Sequence, residues 1–266
     1  MRISNKVFVV TGAGSGIGRA LVLELLRRGA RVAAVDLRQE GLDTLVEEAA
    51  AGEDLVAFML DVTDRAGVGA LPGKVIAELG VIDGLANNAG IIQPFDRVLE
   101  LEDEVIDRVI EVNLRSQITM VRAFLPHLLD RSEAHITNVA SMGAFLPVPG
   151  QVVYGASKAG VLLLTEGLYA ELLGTEVGVS VVMPGGVATN ITENSGVAVP
   201  AGADASDSPL PVTTAEDAAS RIVDGIERNE LHVHVGKDSI ALHALQRIAP
   251  KQATKLITRQ MASLLD

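Results

Sequence analysis

Between the apolar run Val7-Phe8-Val9-Val10 and a helical pattern that starts at Gly16 lies Thr11-Gly12-Ala13-Gly14-Ser15-Gly16-Ile17-Gly18. Glycines in a strand-to-helix turn bring bare backbone N–H groups close to an anion, and the positive end of the following helix favours a pyrophosphate there. The spacing is not G-x-G-x-x-G; the glycines that fit a phosphate turn are Gly12, Gly16 and Gly18. A tight turn alone would also use glycine, but a strand before it and a helix after it make dinucleotide binding the stronger reading.

That turn opens a regular alternation. Strands are predicted at 6–11, 31–36, 54–59, 81–87, 134–140, 177–183 and 231–235, and helices at 16–28, 39–51, 64–79, 102–115, 116–131 and 152–174. Runs such as Arg31-Val32-Ala33-Ala34-Val35 are apolar on both sides of the strand, as a parallel sheet covered on both faces requires. The expectation is an α/β chain, a single doubly wound Rossmann-type domain over 1–266. At 48% hydrophobic residues the chain can fill a large core. It has no cysteine, which removes disulfides, thiolate metal sites and a cysteine nucleophile. A net charge of −12 argues against nucleic acid and against an anionic membrane surface. The apolar run before Thr11 is too short for a signal-peptide core, so the start reads as cytoplasmic. The stretch 134–157 lacks Asp, Glu, Lys and Arg but is broken by Pro147, Pro149 and glycines, which suits a buried strand and loop better than a membrane helix.

Asp36 closes the second strand. A carboxylate there accepts hydrogen bonds from both adenosine ribose hydroxyls and repels a 2′-phosphate, which predicts NAD over NADP. It would also serve as a helix cap, and Arg38 offers a phosphate partner two residues on. In Tyr154-Gly155-Ala156-Ser157-Lys158 a tyrosine precedes a lysine by four residues, one helical turn, so both side chains share a face. The lysine charge is expected to lower the phenol pKa from about 10 toward neutrality, where it can exchange protons. Alone, that pair is a common accident.

Together with Asn87-Asn88-Ala89-Gly90, Asn113 and Ser141, the glycine turn and the Tyr154/Lys158 pair make the chain resemble the short-chain dehydrogenase/reductase family from Lys6 to about Ile191. The resemblance implies a mostly seven-stranded parallel sheet and an NAD-dependent oxidoreductase interconverting a secondary alcohol and a ketone. It implies Tyr154 as general acid/base and Lys158 as the group that lowers its pKa and binds the nicotinamide ribose. Ser141 would hold the substrate oxygen, and Asn113 would support a water chain from Lys158 to solvent. NAD would be held by Gly12, Ser15, Gly16, Ile17, Gly18, Asp36 and Leu37, by Asp61 and Val62, by Asn88, Ala89 and Gly90, by Tyr154 and Lys158, and by Pro184, Gly185, Val187 and Thr189. Asp61 reads equally as a helix cap. The usual assembly is a homotetramer or homodimer that packs the long helices at 102–131 and 152–174.

The expected substrate pocket, Ile91, Ile92, Gln93, Phe95, Met142, Gly143, Phe145, Leu146, Gln151, Gly186 and Val187, is mainly apolar and holds no cation, which favours a small uncharged alcohol or ketone. The stretch 190–212, rich in Gly, Ala, Ser, Asp and Pro, reads as a substrate lid with little helical periodicity. The end of the chain, about 239–266, reads as two amphipathic helices split by Pro250 that pack on the lid or on a neighbouring subunit. His232 and His234 share one strand face but are too few for a zinc site, and no metal is expected. Two other readings are a 3-oxoacyl carrier-protein reductase using NADPH and a non-catalytic dinucleotide-binding redox sensor. Asp36 and the acidic charge oppose the first; an intact Asn113, Ser141, Tyr154 and Lys158 set opposes the second.

Overall fold

The computed structural model describes residues 1–189, 191–197 and 212–261. Seven strands, β1 (Val7–Thr11), β2 (Arg31–Asp36), β3 (Leu55–Met59), β4 (Gly84–Asn87), β5 (Ala134–Val139), β6 (Val177–Pro184) and β7 (His232–Val235), form one sheet in the order β3-β2-β1-β4-β5-β6-β7. Every pairing is parallel.

Alternation along each strand divides the core. On one face Phe8, Val10, Val32, Ala34, Val182 and Val233 pack beneath α1 (Gly16–Arg27), α2 (Gln39–Ala49) and α8 (Ala215–Glu227). On the other, Val7, Val9, Leu85, Ile136 and Val179 pack beneath α3 (Arg65–Leu79), α5 (Ser116–Leu129) and α6 (Val152–Glu171). Burial on both sides explains why the strands read as continuous apolar runs.

Helix α4 (Asp103–Ile110) does not stop before α5. A π turn at Glu111–Arg115 joins the two, with Asn113 buried inside it, where two separate helices were expected. Inserting one residue into a helix re-aims the side chains beside it. Helix α8, not anticipated, begins at Thr214, whose hydroxyl accepts from Asp217 N at 3.0 Å. The expected lid falls mostly outside the described residues, but part of it is helical, as α7 (Ile191–Asn194). Its flanks are joined: Ala188 N donates to Thr213 O at 3.0 Å and Thr213 N to Gly186 O at 2.8 Å.

The tail forms α9 (Lys237–Ile248) and α10 (Pro250–Gln260), split at Pro250 as expected. Its inner face packs on the body of the domain. Leu242, Ala253 and Ile257 close with Leu146 over the turn that carries Met142, Phe145 and Val148. No helix of the described residues is long and apolar enough to cross a membrane.

The sheet reverses its winding between β1 and β4, and at their carboxyl ends α1 approaches so closely that a side chain on Gly18 would overlap Gly12 O. Gly18→Ala should therefore lose about 1–3 kcal/mol of unfolding free energy in a urea titration. Gly69→Ala, in α3 with open space around it, should gain a few tenths to about 1 kcal/mol.

Candidate active site

At the reversal point, Thr11 Oγ1 accepts from Asn88 N and Ala89 N, both at 3.0 Å, while Asn88 Nδ2 donates back to Thr11 O at 3.0 Å and Gly12 O at 3.3 Å. This stitch holds the glycine turn against Asn88-Ala89-Gly90 and leaves a cleft of ≈ 440 Å³ above them. Gly12, Ser15, Gly16 and Ile17 line the cleft, as do Asp36, Leu37, Asp61, Val62, Asn88, Ala89, Gly90 and Thr189. Gly12 and Gly16 hold φ of 65° and 53°, the left-handed region that favours glycine.

Gly18 does not line the cleft; buried in α1, it lets helix and turn touch. Pro184, the last residue of β6, and Gly185 and Val187, in the loop that follows it, also lie outside the lining. Leu60, Thr63, Arg108, Glu111 and Val112 line the cleft without having been foreseen; Ile191 and Asn194 of the expected lid and Arg38, weighed only as a phosphate partner, join them. Position after a strand end marks Leu60 and Thr63 in retrospect, but nothing local marks Asn194. That side chain reaches across the entrance, its Nδ2 donating to Ser15 Oγ at 2.8 Å. Beside it Ser195 Oγ accepts from Ile92 N at 3.0 Å.

Asp36 is 8% exposed. Its Oδ2 accepts from Gly14 N at 2.8 Å and its Oδ1 from Arg38 N at 2.9 Å, which fixes the carboxylate at the cleft wall. Asp61 lines the cleft, and its Oδ1 accepts from Thr63 N and Thr63 Oγ1 at 2.8 and 2.7 Å; the helix cap also considered for it falls to Asp64, whose side chain accepts from Ala66 N at the start of α3. An anion-accepting glycine turn, a carboxylate at the second strand end and apolar walls fit an adenine dinucleotide.

Lys158, Asn113 and Gly90 meet deeper in. A Cβ on Gly90 would stand 3.1 Å from Lys158 Nζ and 3.2 Å from Asn113 Oδ1, so glycine leaves these two groups facing one another. Asn113 is fully buried, accepts from Ile91 N at 2.8 Å, and donates to Ile91 O at 2.9 Å and Ser157 Oγ at 3.0 Å. Lys158 Nζ donates to Val139 O at 3.0 Å and lies 5.9 Å from the Tyr154 ring centre. Ser141 opens the short turn Met142–Ala144, its Oγ accepting from Gly143 N at 3.0 Å, and the same hydroxyl acts on the Tyr154 phenol.

The expected lowering of the phenol pKa is not what the chain produces by itself. Burial raises Tyr154 above its ordinary value, and the Ser141 side chain opposes this in part. Burial likewise pulls the Lys158 ammonium down to about 8, so its cation is weakened.

Gln93, expected to touch substrate, does something else. It is fully buried; its Oε1 accepts from both Val153 N and Tyr154 N at 2.9 Å, and its Nε2 donates to Gly150 O at 2.9 Å. Helix α6 has no side-chain cap of its own, so Gln93 caps it from another segment and fixes the turn that carries Tyr154. Gln151 returns the favour through Nε2 to Gln93 O at 2.9 Å. Leu146 is buried under the tail, and Phe145 stacks on His243 at 4.4 Å between ring centres. His232 pairs with Glu166 at 2.8 Å, and His234 bonds Ser239 and His243.

Residues 6–198 match the family model described as short chain dehydrogenase. The chain is 38% identical over 224 residues to the 3-oxoacyl-acyl-carrier-protein reductase FabG of Thermotoga maritima, covering 84% of each protein. It is 36% identical over 242 residues to the 1-deoxy-11-beta-hydroxypentalenate dehydrogenase of Streptomyces avermitilis, covering 90% of this chain and 87% of that one. Among solved structures, a short-chain dehydrogenase/reductase from Burkholderia phymatum in complex with NAD superposes with a TM-score of 0.85 at 28% identity, over 95% of this chain and 96% of that one. A short-chain dehydrogenase from Burkholderia cenocepacia in complex with NADP gives 0.81 at 29% identity, over 97% and 99%.

Lys158 supplies a test that needs no ligand. Between its folded value of about 8 and the ordinary 10.5, the unfolded chain binds a proton that the folded chain has released, so stability rises with pH in that window. The gain should reach about 3 kcal/mol over the full window, with the raised Tyr154 opposing it above pH ~10. Urea titrations of wild type and Lys158→Met at pH 7.5 and 9.5 should show the wild-type rise and a flatter mutant.

Proposed function

This chain belongs to the short-chain dehydrogenase/reductase family and is an NAD(P)-dependent oxidoreductase, and we propose that within the family it prefers NAD and interconverts a small, uncharged secondary alcohol and its ketone. The observation that carries the reading is the meeting of Ser141 with Tyr154, and of Asn113 with Lys158 across Gly90, beside a cleft walled by Asp36. The preference for NAD rests on Asp36, whose fixed carboxylate would accept ribose hydroxyls and repel a 2′-phosphate.

When bound, the dinucleotide accepts or supplies the hydride. Gly12, Ser15, Gly16 and Ile17 would hold its pyrophosphate, and Asp36 and Leu37 its adenosine ribose. Asp61 and Val62 would face the adenine, and Pro184, Gly185, Val187 and Thr189 the nicotinamide side. Gly18 contributes by letting α1 close on the turn. In ketone reduction the Tyr154 phenol, the form that burial favours, gives its proton to the carbonyl oxygen. In alcohol oxidation the phenolate takes the hydroxyl proton. Ser141 holds the same oxygen as charge develops on it. Lys158 adds positive charge beside the phenol, and Asn113, held on both sides by Ile91, would carry the water path outward from Lys158.

The chain would act as one domain, cytoplasmic, with no nucleic-acid, membrane or metal partner, and as a homotetramer or homodimer. The exposed apolar side chains Leu163 (70%) and Leu173 (65%) on and beyond α6 support that association.

A second reading, reduction of a 3-oxoacyl thioester with NADPH, is favoured by the 38% identity to the Thermotoga reductase and by Arg38 at the cleft. A panel of secondary alcohols and hydroxyacyl thioesters offered with NAD and with NADP separates the two. The first reading expects turnover with NAD and an uncharged alcohol, and Tyr154→Phe should cut it by about a hundredfold or more. Asp36→Ala should lower the ratio of kcat/KM for NAD over NADP at least tenfold, about 1.4 kcal/mol. An unchanged ratio would overturn the cofactor assignment, and hydroxyacyl-thioester turnover with NADP alone would establish the second reading.

A further inference from the structure

We propose that Asp238, in the first turn of α9, is a positioning residue that clamps the loop Pro184–Thr189 and thereby sets how tightly the nicotinamide half of the cofactor is held. This rests on the assignment of that loop to the nicotinamide side.

Asp238 is 6% exposed, and its Oδ2 accepts from Gly186 N at 2.9 Å. Two glycines make room for this one carboxylate: a side chain on Gly185, or on Gly236 at φ 89°, would overlap it. Its Oδ1 is buried with no partner among the described residues. A buried carboxylate with so few donors is costly, and its place in the open first turn of α9 offsets only part of that cost.

The next residue grips the same segment. Ser239 Oγ donates to Met183 O at 2.7 Å, so the proton at 2.9 Å between Ser239 Oγ and His234 Nδ1 belongs to the histidine. His234 Nε2 is then left to accept from His243 Nδ1 at 3.2 Å. Consecutive residues of α9 thus hold the end of β6 at Met183 and the loop at Gly186, and the two histidines brace the grip of Ser239 on Met183. The loop contains Gly185-Gly186, the pair of residues with the most backbone freedom to lose on binding. Fixing them in advance removes that loss from the binding step, and only for a ligand that reaches the loop.

The test compares NADH with ADP-ribose, which lacks the nicotinamide, by calorimetric titration. Asp238→Ala should weaken NADH by about tenfold or more, the worth of a charge-assisted bond, and leave ADP-ribose within about twofold. Asp238→Asn, whose amide oxygen can still accept from Gly186, should fall between wild type and alanine. NADH binding unchanged in Asp238→Ala, or NADH and ADP-ribose weakened alike, would overturn the proposal. If the alanine variant fails to fold, Asp238→Asn and Ser239→Ala carry the same comparison: selective loss of NADH supports the clamp, and equal or no loss refutes it. Wild-type protein that binds neither ligand would instead refute the dinucleotide reading beneath it.

Discussion

The Thr11 hydroxyl is the joint on which the molecule turns. It takes two backbone amides from the far side of the winding reversal, and Asn88 returns two bonds to the carbonyls of Thr11 and Gly12. In an open parallel sheet the strand ends on either side of such a reversal have no shared helix to tie them, which is why a crevice forms there. Here polar side chains tie them instead. The tie fixes the height of Gly12 for a phosphate on one side and the path of Asn88-Ala89-Gly90 toward Lys158 on the other.

The candidate chemistry is buried, and burial cuts both ways. It keeps the Tyr154 phenol protonated and brings the Lys158 ammonium down to about 8, so the phenol is not ionised without help from what binds beside it. Position therefore matters more than intrinsic acidity. The chain spends several buried bonds on position: Gln93 caps α6 at Tyr154 itself, and the π turn at Glu111–Arg115 holds Asn113 inward. Packing of the tail onto the turn after Ser141 closes the same site from a third direction.

Most of the architecture was legible because it is local. Strand ends, the glycine turn, the Tyr154–Lys158 spacing and the break at Pro250 all write themselves into neighbouring residues. What escaped is what depends on distant partners. Gln93 sits among Ile91, Ile92 and Phe95 and so read as pocket surface, although its bonds go to residues about sixty positions away. The π turn has no compositional mark. Helix α8 did have one, Thr214 three residues before Asp217 and an apolar face at Ala218, Ile222 and Ile226, but it was hidden behind the biased stretch before it. The lysine's effect on the phenol failed for a different reason: spacing gives proximity, whereas a pKa also depends on how much water is lost, which no local pattern records.

The reciprocal bonds between Gly186, Ala188 and Thr213 have a consequence for how such a chain can diversify. They make the intervening stretch a ring whose closure is already secured at its base, so its length is only weakly coupled to the stability of the sheet. By chain statistics, doubling such a ring costs about 0.6 kcal/mol, a small fraction of the stability of a folded domain. Segments of other length and composition can be exchanged there without re-engineering the sheet.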